Sequence, residues 1–183
     1  MAWIALLLMA SILFIFIVES LRYKITPTPS SKKVRQKILE ILPSKVDGAI
    51  LELGSGFGQV ALSLSRHFPK NTIMSFERAC IPYFIQRLTF IFIRPKNASL
   101  LFKDFKKRNF SNAGLIFCYL YRSIMPKLLT KIKNEVKKPT WLVSHTFAID
   151  GLKPVKTIYA NDLYCTPIYL YLVNPIKKTD AKY

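Results

Sequence analysis

The apolar and polar positions of the chain fall into three kinds of pattern. The first is unbroken: residues 2–18 read AWIALLLMASILFIFIV, with Ser11 as the single polar member. As a helix this run covers about 26 Å, near the thickness of a bilayer's hydrocarbon core, so it predicts a transmembrane anchor. The second pattern is helical. After the proline-punctuated stretch Thr26-Pro27-Thr28-Pro29-Ser30-Ser31, residues 32–42 place Val34, Ile38, Leu39 and Leu42 on one face. Ser30 or Ser31 is suited to cap this helix, and Pro43 ends it. The third is a series of short apolar runs, at 49–53, 72–76, 98–102, 114–121 and 140–149, with a final pair at 157–160 and 168–173. Helical stretches at 59–67 and 125–136 separate several of them. Strands alternating with helices and closing on an antiparallel pair predict an α/β fold, mostly parallel with an antiparallel edge.

Charge changes the picture in one respect. The 183 residues carry 28 Lys and Arg against 10 Asp and Glu, a net +18, yet 51% are hydrophobic. A disordered basic tail is thereby excluded, because such tails lack the apolar residues to build a core. The length suits one domain behind the anchor. Arg22, Lys24, Lys32, Lys33, Arg35 and Lys37 all follow the apolar run, so the positive-inside rule places the rest of the chain on the cytoplasmic or matrix side of a membrane it crosses once. No basic region precedes the run and no small-residue cleavage site follows it, which argues against a secretory signal. Cys80, Cys118 and Cys165 form no C-x-x-C pair and the only histidines are His67 and His145. Neither a disulfide framework nor a metal site is signalled.

Candidate chemistry begins at the first short run. Ala49-Ile50-Leu51-Glu52-Leu53 leads directly into Gly54-Ser55-Gly56-Phe57-Gly58 and then a helix. Glycines in that setting let a ligand approach the backbone, and the helix start offers free N–H groups. The spacing is not G-x-G-x-x-G, since Gln59 leaves the third glycine one residue early, and no Lys follows as a P-loop needs. Glu77 ends the second strand, where a carboxylate can accept from both hydroxyls of a ribose. Asp104 follows the third. Three of only ten acids thus stand at or beside the ends of successive strands.

The pattern E-x-G-x-G-x-G resembles motif I of the class I S-adenosylmethionine-dependent methyltransferases. The order of pieces is similar, over nearly the whole chain, to the membrane-anchored lysine methyltransferase family that includes the enzyme acting on subunit c of ATP synthase, and to its short bacterial relatives. The shared pieces are the apolar start, Pro27-Thr28-Pro29, the helix at 32–42 and Glu52-Leu53-Gly54-Ser55-Gly56. Where that family commonly has Asp then Gly-Arg after the second glycine, this chain has Phe57-Gly58-Gln59.

The resemblance implies a Rossmann-like methyltransferase sheet over residues 32–176, after an anchor at 1–20 and a linker at 21–31 and before a basic tail at 177–183. It implies S-adenosyl-L-methionine as cofactor, bound by Glu52, Gly54, Ser55, Gly56, Gly58, Glu77, Asp104 and, from the P-T-P element, Thr28. Tyr119 and Tyr121, at the end of the fourth strand, stand where an acceptor amine would be oriented. The implied activity is N-methylation of a lysine on a membrane-associated protein, with the bilayer itself as a partner. A lipid or small-molecule acceptor, an RNA acceptor and a non-catalytic scaffold are the alternatives. Net charge alone would suit nucleic acid, but no [DN]-P-P-[FYW] follows the fourth strand and no Pro-Cys nucleophile exists.

Overall fold

A computed structural model describes residues 2–23 and 29–176 of the protein. Met1, residues 24–28 of the linker, Thr28 among them, and the basic tail at 177–183 lie outside the described residues.

Seven strands form one sheet: β1 (Ala49–Leu53), β2 (Ile73–Glu77), β3 (Ala98–Phe102), β4 (Ala113–Cys118), β5 (Thr140–His145), β6 (Lys156–Tyr159) and β7 (Pro167–Val173). Their order is β3-β2-β1-β4-β5-β7-β6. The first five pair in parallel, and β7 runs antiparallel between β5 and β6. The mixed sheet expected from the sequence is thus present. In this order the chain reverses its direction of progress between β1 and β4, and α/β sheets place their ligands outside the carboxyl ends of the strands at such a switch.

Helices cover both faces. The helices α2 (Lys32–Ile41) and α3 (Gln59–His67) bury Val34, Ile38, Ile41, Val60, Ala61 and Leu64 against Ile50, Ile73, Leu115 and Val143 of the sheet. Ser31 caps α2, its hydroxyl accepting from the N–H of Val34 at 3.2 Å. The opposite face carries α5 (Met125–Glu135), whose Met125, Leu128, Leu129 and Ile132 pack with Leu51, Leu53, Ile116 and Leu142. Neighbouring residues of β1 therefore point to opposite layers, the period-2 alternation of a strand buried on both sides.

An element absent from the sequence reading, α4 (Cys80–Ile93), joins β2 to β3. Only Pro82 and Gln86 of this helix are fully buried, while Phe84, Ile85, Leu88, Ile91, Phe92 and Ile93 are exposed.

The N-terminal run forms α1 (Ala2–Tyr23), but the predicted transmembrane anchor is overturned: among the described residues, no helix is long and apolar enough to cross a membrane. The apolar run ends at Val18, at the lower end of the about 17–25 residues a span takes. The next residue belongs to the folded body, since both carboxylate oxygens of Glu19 accept from the N–H of Cys80 at the start of α4, at 2.8 and 3.0 Å.

Candidate active site

A cavity lies at the carboxyl ends of the strands, over the switch between β1 and β4. Of the residues singled out in the sequence, Glu52, Gly54, Ser55, Gly56, Glu77, Tyr119 and Tyr121 all line it. One wall is a backbone structure. The N–H groups of Gly54 and Ser55 both donate to the carbonyl of Phe76, at 2.9 and 3.0 Å, and fasten the loop to the exit of β2. Gly56 has a φ of +54° with open space where a Cβ would stand, a left-handed conformation that costs glycine nothing.

Gly58, with φ of +76°, is the N-cap of α3. A Cβ here would sit 2.4 Å from Cγ of Gln86, reaching in from α4. Gln86 is wholly buried and its Oε1 accepts from the Ser55 hydroxyl at 2.7 Å. The early third glycine, which departs from the dinucleotide fingerprint, thus has a steric cause in a helix the sequence reading did not place. The signal was present in the sequence as a single amide within the apolar stretch CIPYFIQRLTFIFI.

Glu77 binds the loop as well. Its carboxylate accepts from the N–H of Gly56 at 2.7 Å, of Arg78 at 2.7 Å and of Ala79 at 2.8 Å. Burial still holds its pKa above the ordinary carboxylate value, the three backbone donors offsetting part of that effect. Glu52 is buried more deeply, with the Ser75 hydroxyl of β2 donating to it at 2.9 Å. Desolvation pushes its pKa up to about 8, with Glu77 adding repulsion, so it is largely protonated at neutral pH.

Asp104 takes a different position. Its carboxylate caps the 3-10 turn Phe105–Lys107 by accepting from the N–H of Lys106 at 2.9 Å, and it pairs with Arg78 at 3.2 Å. Its neighbours Lys103 and Phe105, rather than Asp104 itself, line the cavity. Thr28 lies outside the described residues, although Pro29 and Ser30 beside it line the cavity, as does Glu19 of α1.

The far wall is aromatic. The fourth strand ends at Cys118, earlier than the sequence suggests, and Tyr119 and Tyr121 stand in the segment that follows. The fifth ends at His145, and the turn beyond it delivers Phe147 to the same wall. The Tyr119 ring meets His145 edge-on with centroids 4.3 Å apart. Burial pushes the His145 pKa down to about 4, only partly opposed by Asp162, so it is a neutral packing partner at physiological pH.

The cavity therefore joins a glycine loop, a helix start, and the carboxyl groups of Glu19, Glu52 and Glu77 to an apolar aromatic end, within a chain of net charge +18. That is a fit for a cofactor with a sulfonium, an ammonium and a ribose. The sequence profile of the ANTKMT methyltransferase domain matches residues 52–156. The chain belongs to that family. It is a methyltransferase, and S-adenosylmethionine is its methyl donor. A protein-lysine N-methyltransferase of Saccharolobus islandicus is 25% identical over 156 residues, which cover 81% of this chain and 94% of that protein. Among solved structures, an RNA methyltransferase of Salinibacter ruber in complex with S-adenosyl-L-homocysteine superposes with a TM-score of 0.69. It is 20% identical, over 85% of this chain and all of that one. A SAM-dependent methyltransferase of Aquifex aeolicus gives 0.63 at 13% identity, over 80% and 94% of the two chains. These two likenesses establish the fold of the methyltransferase, not its acceptor.

Proposed function

We propose that this methyltransferase N-methylates lysine side chains of a protein. The observation that carries the reading is the chemistry of the acceptor end. Tyr119, Leu120, Tyr121 and Phe147 make a mostly apolar wall, suited to a lysine that must shed water and a proton before it can act as nucleophile. The sulfonium already activates the methyl carbon, so the protein has to align a neutral amine with it and no dedicated nucleophile is needed. The lysine methyltransferase of Saccharolobus islandicus, aligned over 94% of its length, supports the same acceptor class.

The acceptor protein stands at an anionic membrane surface. The exposed apolar side chains of α4, beside exposed Arg87 and Arg94, support this part of the reading, because such patches favour adsorption to charged interfaces. The test is to incubate membranes and the full chain with methyl-labelled S-adenosylmethionine. Label is expected in protein, recovered on hydrolysis as methyl-lysine. Label in lipid or RNA with none in protein would refute the lysine assignment.

A further inference from the structure

Tyr119 and Tyr121, from the exit of β4, meet Phe147, from the exit of β5. The Tyr119 and Phe147 ring centroids are 6.3 Å apart with planes 18° from parallel, and those of Tyr121 and Phe147 are 6.0 Å apart at 30°. Ordinary core packing does not account for the group, since Tyr121 is 43% exposed and all three rings line the cavity. The backbone is also strained to place one of them. Thr146 has a φ of +71°, a conformation that a β-branched residue rarely adopts and that costs about 1–3 kcal/mol.

Several bonds hold that turn. The Thr146 N–H donates to the Pro167 carbonyl at 2.9 Å, and the Phe147 N–H donates to the His145 carbonyl at 2.9 Å. The Ser144 hydroxyl donates to the Phe147 carbonyl. A bidentate pair, Arg122 to Asp150 at 3.0 and 2.7 Å, ties the segment after Tyr121 to the segment after Phe147. Strain maintained by this many contacts is characteristic of a functional position.

We propose that these three rings form a subsite for an alkylammonium head, taking a lysine amine and its mono- and dimethylated forms, with Phe147 as the specificity-determining ring. The proposal rests on the lysine reading above and adds the residues that would recognise the amine. In the transfer, the nitrogen lone pair forms the new N–C bond while the C–S bond breaks and its electron pair stays on sulfur. Positive charge thereby moves from sulfur to nitrogen. A substituted nitrogen that still carries a proton then loses it to solvent at the open rim. Ring faces beside the nitrogen attract that growing charge more than they attract the neutral amine, so they favour the transition state over the ground state. Each methyl already present adds apolar surface for the rings to cover.

The test uses the full chain, S-adenosylmethionine and three peptides that carry unmodified, monomethylated or dimethylated lysine, read by mass spectrometry. Phe147→Leu keeps the bulk and removes the π face. It is expected to slow turnover of the dimethylated peptide about tenfold and that of the unmodified one about two- to threefold. Cofactor affinity should stay unchanged, and Phe147→Tyr should restore the wild-type preference. Equal slowing on all three peptides, no slowing, or weakened cofactor binding would overturn the proposal. If the wild-type protein modifies no lysine peptide, the lysine reading fails, and the subsite is then decided separately. Tetramethylammonium is titrated by NMR into the protein loaded with S-adenosylhomocysteine. Saturable binding that Phe147→Leu weakens supports the subsite, and absence of binding overturns it.

Discussion

The two ends of the cavity are built on different principles. The cofactor end, between β1, α3 and β2, is made of backbone: glycine dihedrals, N–H groups and carboxylates that accept from them. The acceptor end, at the exits of β4 and β5, is made of aromatic side chains brought together from positions 119, 121 and 147 by a strained turn and an ion pair. Backbone geometry is intolerant, because one added atom changes the path of the chain. Ring contacts are graded, because a smaller side chain leaves weaker contact rather than none. Changes at the cofactor end should therefore act on binding and act strongly. Changes at the acceptor end should act on turnover and selectivity, and act moderately.

The largest effect is expected from Gly58→Val. Its side chain would meet Gln86 in a backbone conformation that a β-branched residue resists, and affinity for S-adenosylmethionine should fall on the order of a hundredfold or more by calorimetry. Adding Gln86→Ala should recover only part of the loss, since φ remains positive. Full recovery would mean that contact alone, and not the backbone, defines this end.

The next effect is set by pH. Glu52 has a folded-state pKa of about 8 against an ordinary 4.5, so the folded protein binds the extra proton and its stability falls as pH rises through that window. His145 works oppositely: with its pKa lowered to about 4 from 6.5, its share of stability is present above pH 6.5 and lost as pH falls toward 4. The two slopes oppose each other between about pH 4.5 and 6.5. Above that only the carboxylates act, Glu77 in the same direction as Glu52. The Glu52 share of the unfolding free energy should then fall by up to about 1.4 kcal/mol per pH unit from 6.5 toward 8. Glu52→Gln should flatten most of this slope in denaturant titrations at several pH values.

Ser55→Ala tests the same end more gently. It removes the hydroxyl bonded to Gln86, leaves the glycines in place, and should weaken cofactor binding about three- to tenfold. The smallest effect is expected at the acceptor end. Arg122→Ala breaks an exposed ion pair, so stability should barely change, while kcat/KM falls a few-fold at unchanged cofactor affinity. A large loss of cofactor affinity from this substitution would erase the distinction between the two ends.

The cofactor end was legible in the sequence because its parts are contiguous: strand, glycines and helix occupy residues 49–67. The sheet was legible for the same reason, from short contiguous apolar runs, several of them separated by helical stretches. Three things were not. The helix α4 escaped because CIPYFIQRLTFIFI has too few polar positions to reveal a period, and in the fold many of its large apolar residues face outward. Phe147 escaped because TWLVSHTFAI reads as one continuous strand, and nothing local signals that Thr146 turns left-handed. The N-terminal run gave the wrong expectation because, among the described residues, no helix is long and apolar enough to cross a membrane, and Glu19, one residue beyond the run, bonds instead to the start of α4.

That last contact matters to anyone who prepares the protein. Deleting residues 1–28 would look like the removal of a dispensable tag, leaving a tidy α/β domain. It would also take away the carboxylate that receives the first N–H of α4 and one panel of the cavity wall. The shortened protein would be a different reagent, with a frayed α4 and a wider mouth, and its inactivity would say little about the intact chain.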